Sequence, residues 1–166
     1  MDTVLNLGLT PQTVEALAKE SGNARFAWDS YRRFVQMFAD VVLELDSFAF
    51  EQMLDEKKLT LGIVEDTQLS AEDLQELAEE FMDLVKLETG KPFPQEPKEQ
   101  LEMAIRAVFD SWMNPRAITY RDIHEITGLA GTAVTVQAMV FGNRGDDCAT
   151  GESCPGEQPI RPSPGG

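Results

Sequence analysis

Residues 132–141, TAVTVQAMVF, form the one segment of this chain whose side chains alternate as in a β-strand. β-Branched residues are frequent in this segment and both of its faces are mostly apolar, so the pattern predicts a strand covered on both sides. A lone strand cannot pair its own N–H and C=O groups, and even an isolated hairpin is only marginally stable. We expect one or two strands at most near the C-terminus, so a complete sheet has to come from elsewhere. The chain is therefore expected to be a piece of a larger protein.

The chain before this segment predicts about six helices, each marked by apolar residues at steps of three and four. Thr10 and Pro11 form the start of the first helix, which should end at Gly22. The second helix, 23–45, carries a continuous apolar stripe, and Ser70 followed by acidic residues caps the fourth. The other helices are expected at 47–58, 97–114 and 115–128, with a loop at 59–69 and a proline elbow at 91–97. The predicted fold class is mainly α, with one or two β-strands near the C-terminus.

The charge balance excludes several classes of partner. The 166 residues carry a formal net charge of -15, which argues against duplex nucleic acid and against an anionic membrane surface. The sequence has no run of about eighteen apolar residues and no evident signal peptide, so the expected location is cytoplasmic. Cys148 and Cys154 lack the spacing of a zinc knuckle, and no metal site is predicted from them.

Isolated polar residues give no catalytic assignment. His124 is the only histidine and has no neighbouring Ser, Cys or glycine-rich loop, so it is expected on or near the surface. Arg25, Arg32 and Arg33 place positive charge on the second helix, where they are expected either to be solvated or to pair with acidic neighbours. No catalytic residue is assigned.

Six ordered blocks of the sequence carry a more specific signal than its periodicity. Together they resemble the pyruvate, phosphate dikinase family from residue 1 to about 151: MDTVLNLG (1–8), RFAWDSYRRF (25–34), PKEQLE (97–102), AVFDSW (107–112), NPRA (114–117) and GTAVTVQAMVFGN (131–143). The resemblance implies a partial N-terminal nucleotide-binding domain, which in that family is an ATP-grasp fold with a large helical insertion. The helical part would be 10–128 and the strand 132–141.

The resemblance also implies an activity for the parent enzyme. Members of the family convert ATP, phosphate and pyruvate to AMP, diphosphate and phosphoenolpyruvate through a phosphohistidine, with Mg²⁺, and the parent is expected to be a homodimer. Gln137, Ala138, Met139 and Val140 would correspond to the hinge that lines the adenine site, and Asp2 and Thr3 to a remnant of the phosphate loop. The family's cationic nucleotide ligands, its magnesium ligands and its phosphohistidine motif have no match here, so this chain is expected to be inactive by itself.

The C-terminal tail differs from the rest of the chain. Residues 152–166 are rich in Pro and Gly with almost no apolar content, which predicts disorder. They also depart from the sequence pattern of the family. Our hypothesis for this change is a frame-shifted or truncated reading frame, which resequencing of the source DNA would test. An alternative function for the whole chain is a free-standing acidic helical module that binds another protein through an exposed apolar stripe.

Overall fold

A computed structural model describes residues 3–141 of the chain. Asp2 and the tail 142–166, on which the predicted disorder falls, lie outside the described residues. The described part contains six α-helices and two short 3₁₀ turns, Asp66–Gln68 and Ser111–Met113. The helices are α1 Pro11–Ser21, α2 Ala24–Val41, α3 Ser47–Leu61, α4 Ala71–Thr89, α5 Pro97–Asp110 and α6 Pro115–Ile123.

Local sequence signals account for the helix starts. Thr10 and Thr13 form a reciprocal capping box at α1, with Pro11 in the first turn where a missing N–H costs no hydrogen bond. Ser70 and Asp73 form the same arrangement at α4, which also confirms the predicted cap there. Gly22 ends α1 with a φ of 67°, a left-handed conformation that glycine adopts without strain.

Helix α2 is the centre of the core. It packs against α1, α3 and α4. Because most of its circumference faces other elements, ten of its eighteen residues are buried. Aromatic rings meet edge to face across the core: Phe50 of α3 lies 5.0 Å from Phe81 of α4, and Phe93 lies 5.3 Å from Phe38 of α2. The predicted stripe of α2 is therefore confirmed, and Phe93 brings the proline elbow onto the same core.

Several predicted boundaries were wrong by a few residues. Helix α2 ends at Val41 rather than Leu45, because Glu44 adopts a φ of 55° that turns the chain out of the helix. Helix α6 likewise ends at Ile123 rather than near 128, with Glu125 at a φ of 50°. In both turns a glutamate adopts a positive φ. The sequence did not predict these helix ends because no glycine marks them.

The prediction of one or two strands is wrong for the described part of the chain. Residues 132–141 form no strand among residues 3–141, and their side chains are mostly exposed, Val136 by 64% and Val140 by 71%. The physical reason is that a strand requires a second strand for its backbone hydrogen bonds, and residues 3–141 supply none. Phe141 instead packs its ring edge-on against Phe26 of α2, with 5.2 Å between ring centroids.

Candidate functional site

The residues predicted to line an adenine site lie on the surface of the described structure. Gln137, Ala138, Met139 and Val140 are all exposed and lie in a segment without strand pairing. Thr3, the described half of the predicted phosphate-loop remnant, is exposed as well. Asp2, the other half, lies outside the described residues. Concave, largely preformed sites are typical for nucleotides, so the assignment of these residues to a nucleotide site stays a prediction.

An open cavity of about 390 Å³ lies elsewhere, between the C-terminal end of α2 and helix α5. Its charged lining consists of Glu44, Arg106 and Asp110. None of the predicted nucleotide-binding residues contributes to it. With one cation against two carboxylates, this cavity has no surplus of positive charge with which to hold a polyphosphate.

No metal centre is present among residues 3–141, because no three His, Cys, Asp or Glu side chains there are grouped closely enough to hold an ion. Within residues 3–141, no helix is long and apolar enough to cross a membrane.

The segment that follows Thr3 has a fixed path across the helices. Leu5 donates its N–H to Met37 Sδ at 3.3 Å, and Asn6 Nδ2 donates to the Ser30 carbonyl at 3.3 Å, so both residues are tied to α2. Asn6 and Gly8 adopt positive φ angles of 59° and 93°. Two left-handed residues within three positions bend the segment sharply before α1 begins.

Gln100 of α5 joins this segment to the rest of the protein. Its side chain is 0% exposed, and Oε1 accepts a hydrogen bond from the Gly8 N–H at 2.9 Å. Its Nε2 donates to the carbonyls of Leu9 at 3.1 Å and Pro94 at 2.9 Å. One buried amide therefore connects α5, the proline elbow and the N-terminal segment. Sequence reasoning missed it, although a polar residue four positions before the buried Ala104 was an available signal.

A buried ion pair lies on α2. Arg32 NH2 contacts Asp29 Oδ1 at 2.7 Å, and Arg33 Nε contacts Asp29 Oδ2 at 3.1 Å. Asp29 and Arg32 are only 5% and 3% exposed, whereas the Arg33 side chain is 59% exposed. Ion pairing was one of the two predicted outcomes for these arginines, but the partner lies on the same helix rather than on a neighbouring acidic one.

His124 is exposed at the end of α6 and stacks on Tyr120, with 4.3 Å between the ring centroids. The surface position expected for it is confirmed. Nearby, the Arg121 guanidinium lies 3.9 Å from the centre of the Trp112 ring, a cation–π contact that connects α6 to the 3₁₀ turn after α5. Neither contact sets up a nucleophile or a general base.

Comparison with known proteins shows to which class of protein domain the chain belongs. The chain matches, over residues 1–153, a family model described as "Pyruvate phosphate dikinase, AMP/ATP-binding domain", which places it among nucleotide-binding domains. It is 56% identical over 151 residues to pyruvate, phosphate dikinase of Rhizobium meliloti (strain 1021), a match covering 91% of this chain and 17% of that protein. It is also 55% identical to the Clostridium symbiosum enzyme over 152 residues, with the same coverage of both chains.

Plant relatives give the same result: chloroplastic pyruvate, phosphate dikinase 1 of Arabidopsis thaliana is 55% identical over 151 residues, 91% of this chain and 16% of that protein. The chain therefore belongs to the pyruvate, phosphate dikinase family and matches its AMP/ATP-binding domain. It spans about a sixth of the length of these relatives. The resemblance predicted from the sequence is confirmed, and the alternative of a free-standing interaction module is not favoured.

Proposed function

We propose that this chain supplies part of the AMP/ATP-binding domain of an enzyme that transfers phosphate between ATP, phosphate and pyruvate. The observation that carries the proposal is the family match over 1–153 together with identities above one half to several dikinases. In this proposal residues 1–151 are the chain's share of an ATP-grasp domain, and the parent enzyme is a homodimer that uses Mg²⁺.

Two separate stretches of the chain would contribute to the nucleotide site. The backbone of Gln137, Ala138, Met139 and Val140 would face the adenine, and Asp2 with Thr3 would belong to the phosphate loop. The exposure of Thr3 and of residues 137–140 supports the idea that other parts of the parent domain cover them. Transfer of a phosphoryl group depends on cations and metal ions placed around the phosphates. We therefore expect the chain by itself to bind ATP weakly and to catalyse no transfer.

Calorimetric titration with MgATP tests whether these residues bind nucleotide only together with the rest of the parent domain. One sample is the chain itself, and the other is a chimeric dikinase in which the 151 matched residues of this chain replace their counterparts in the Rhizobium meliloti enzyme. We expect no saturable heat from the chain and an ATP Kd in the chimera within about threefold of the unmodified enzyme. A folded chimera that does not bind MgATP would contradict the proposal. A pull-down of the chain that recovers a specific partner, without ATP binding by the chimera, would favour the interaction-module alternative.

A further inference from the structure

The path of residues 3–9 is set by contacts far away in the sequence. Gly8 and Leu9 bond to a side chain 92 and 91 residues further along, while Thr13 Oγ1 donates to the Gly8 carbonyl at 3.1 Å. Gly8 has a φ of +93°, a backbone conformation that residues other than glycine rarely adopt. Another residue at this position would therefore strain the backbone. The segment is thus held by specific hydrogen bonds as well as by apolar contact.

Gln100 uses both of its amide N–H donors and one acceptor position of Oε1 on these contacts. One amide oxygen accepts from Gly8, and the two amide N–H groups donate to the carbonyls of Leu9 and Pro94. In the described structure the Gln100 side chain is 0% exposed, so water cannot reach its amide to replace a hydrogen-bond partner that is lost. Replacing the amide would leave the partly buried Gly8 N–H and Leu9 carbonyl, and the buried Pro94 carbonyl, without their present partner.

We propose that Gln100 is a positioning residue for the nucleotide phosphates: it fixes Gly8 and Leu9, and through them the direction in which the chain reaches Thr3. This inference rests on the proposed function, since Thr3 acquires its role only in the phosphate loop. Gln100 does not contact the substrate. Because the same amide also holds Pro94, the proline elbow and the N-terminal segment keep a fixed relative position.

Hydrogen exchange on the chain itself tests the local half of the proposal. The variant Gln100→Met keeps an unbranched side chain of similar size but has no amide, and we expect the Gly8 N–H to exchange about tenfold faster. The control Val85→Ala removes core volume on α4, where Val85 is 1% exposed, and leaves the hydrogen bonds of the segment in place. It should increase exchange through global unfolding and leave the ratio of Gly8 exchange to exchange in the α4 core unchanged. An unchanged Gly8 rate in folded Gln100→Met would overturn the inference.

Steady-state kinetics of the chimeric dikinase test the functional half. Gln100→Met should raise KM for ATP about tenfold while KM for pyruvate stays constant, and Val85→Ala should change neither. If Gln100→Met does not fold, Thr13→Val removes the hydrogen bond to the Gly8 carbonyl, together with the capping bond from the Thr10 N–H, and should raise KM for ATP in the same direction. An unchanged KM for ATP in a folded, active variant would refute the positioning role. A chimera that is inactive before any substitution would instead count against the proposed function.

Discussion

Asp29 and Arg32 occupy one face of α2 that the sequence does not distinguish from an ordinary charged surface. They are buried together, with Arg32 also donating to Gln36 Oε1 at 3.2 Å, while Arg32 Nε has no partner among the described residues. Spacing along a helix predicts that residues three and four apart can meet. It does not predict which face other elements will cover, and for that reason burial at Arg32 and at Gln100 escaped the sequence analysis.

Replacing Asp29 by Ala should leave the buried Arg32 guanidinium without its counter-charge. We expect the free energy of unfolding to fall by about 3–5 kcal/mol, the usual cost of breaking a buried pair by removing one partner. Urea unfolding followed by circular dichroism measures this change. The matched control is Arg33→Ala, which removes a solvent-exposed partner of the same carboxylate and should cost less than about 1 kcal/mol. Equal losses in the two variants would show that burial does not govern this pair.

Tyr31 gives a prediction for alkaline pH. Burial raises the pKa of its hydroxyl above the ordinary value of 10.0, a hydrogen bond with Gln95 lowers it by less, and Glu79 raises it further. A raised pKa in the folded state contributes stability that is present below pH 10 and is lost as the pH rises through the folded-state pKa. The free energy of unfolding should therefore decrease above pH 10.

Lys57 and Lys58 also have raised pKa values, through their hydrogen bonds to Glu76 and to Asp55 respectively, and they act in the same direction. The variant Tyr31→Phe separates the tyrosine from them. Urea unfolding at several pH values between neutral and alkaline should give a shallower alkaline decline for the variant than for the unmodified chain. Parallel curves would contradict the assignment to Tyr31.

At the level of single elements, helices were predictable because their signals are local. Apolar spacing, the Thr10 and Ser70 caps and the prolines at positions 11, 97 and 115 lie within the elements that they define. The prediction of a strand at 132–141 was wrong for the opposite reason. Alternating side chains indicate only that a segment can pair with another strand. Whether a strand forms depends on a partner that the local sequence cannot provide.

The cap of α4 can be tested directly. The Asp73 carboxylate accepts hydrogen bonds from the Ser70 hydroxyl at 2.7 Å and from the Ser70 N–H at 3.0 Å, and these lower the pKa of Asp73. Substituting Ser70 by Ala should reduce the free energy of unfolding by about 1 kcal/mol in urea titrations. Ser70→Asn is the control, because its side-chain oxygen can still accept from the Asp73 N–H, and it should stay close to the original stability. A neutral Ser70→Ala would mean that the cap does not stabilise α4.

Across the whole described chain, apolar exposure is uneven. Most large apolar side chains of α2 and α4 are buried or half-buried, Leu87 of α4 being the exception at 79% exposure, whereas many between residue 109 and 140 are exposed, including Met113 by 67%, Ile123 by 71% and Leu129 by 60%. Helix α6 contributes no buried residue at all among those described. An uneven distribution of this kind is typical of a surface that packs against further protein, in agreement with relatives about six times as long.

Family membership was predictable from blocks of sequence that resemble the dikinases, whereas the nucleotide-site residues stay a prediction. Residues 137–140 and Thr3 were assigned through the resemblance alone, and the described structure leaves them exposed. The chain spans about a sixth of its relatives' length, and local patterns do not show which more distant residues would complete a binding site.

Pyruvate-dependent formation of AMP by the chimeric dikinase tests most directly whether these residues are a working part of an AMP/ATP-binding domain. With 56% identity over the exchanged residues, we predict that the chimera folds and forms AMP. Its rate should lie within about tenfold of the unmodified Rhizobium meliloti enzyme. A chimera that is folded by circular dichroism but forms no AMP above the pyruvate-free background would contradict the account.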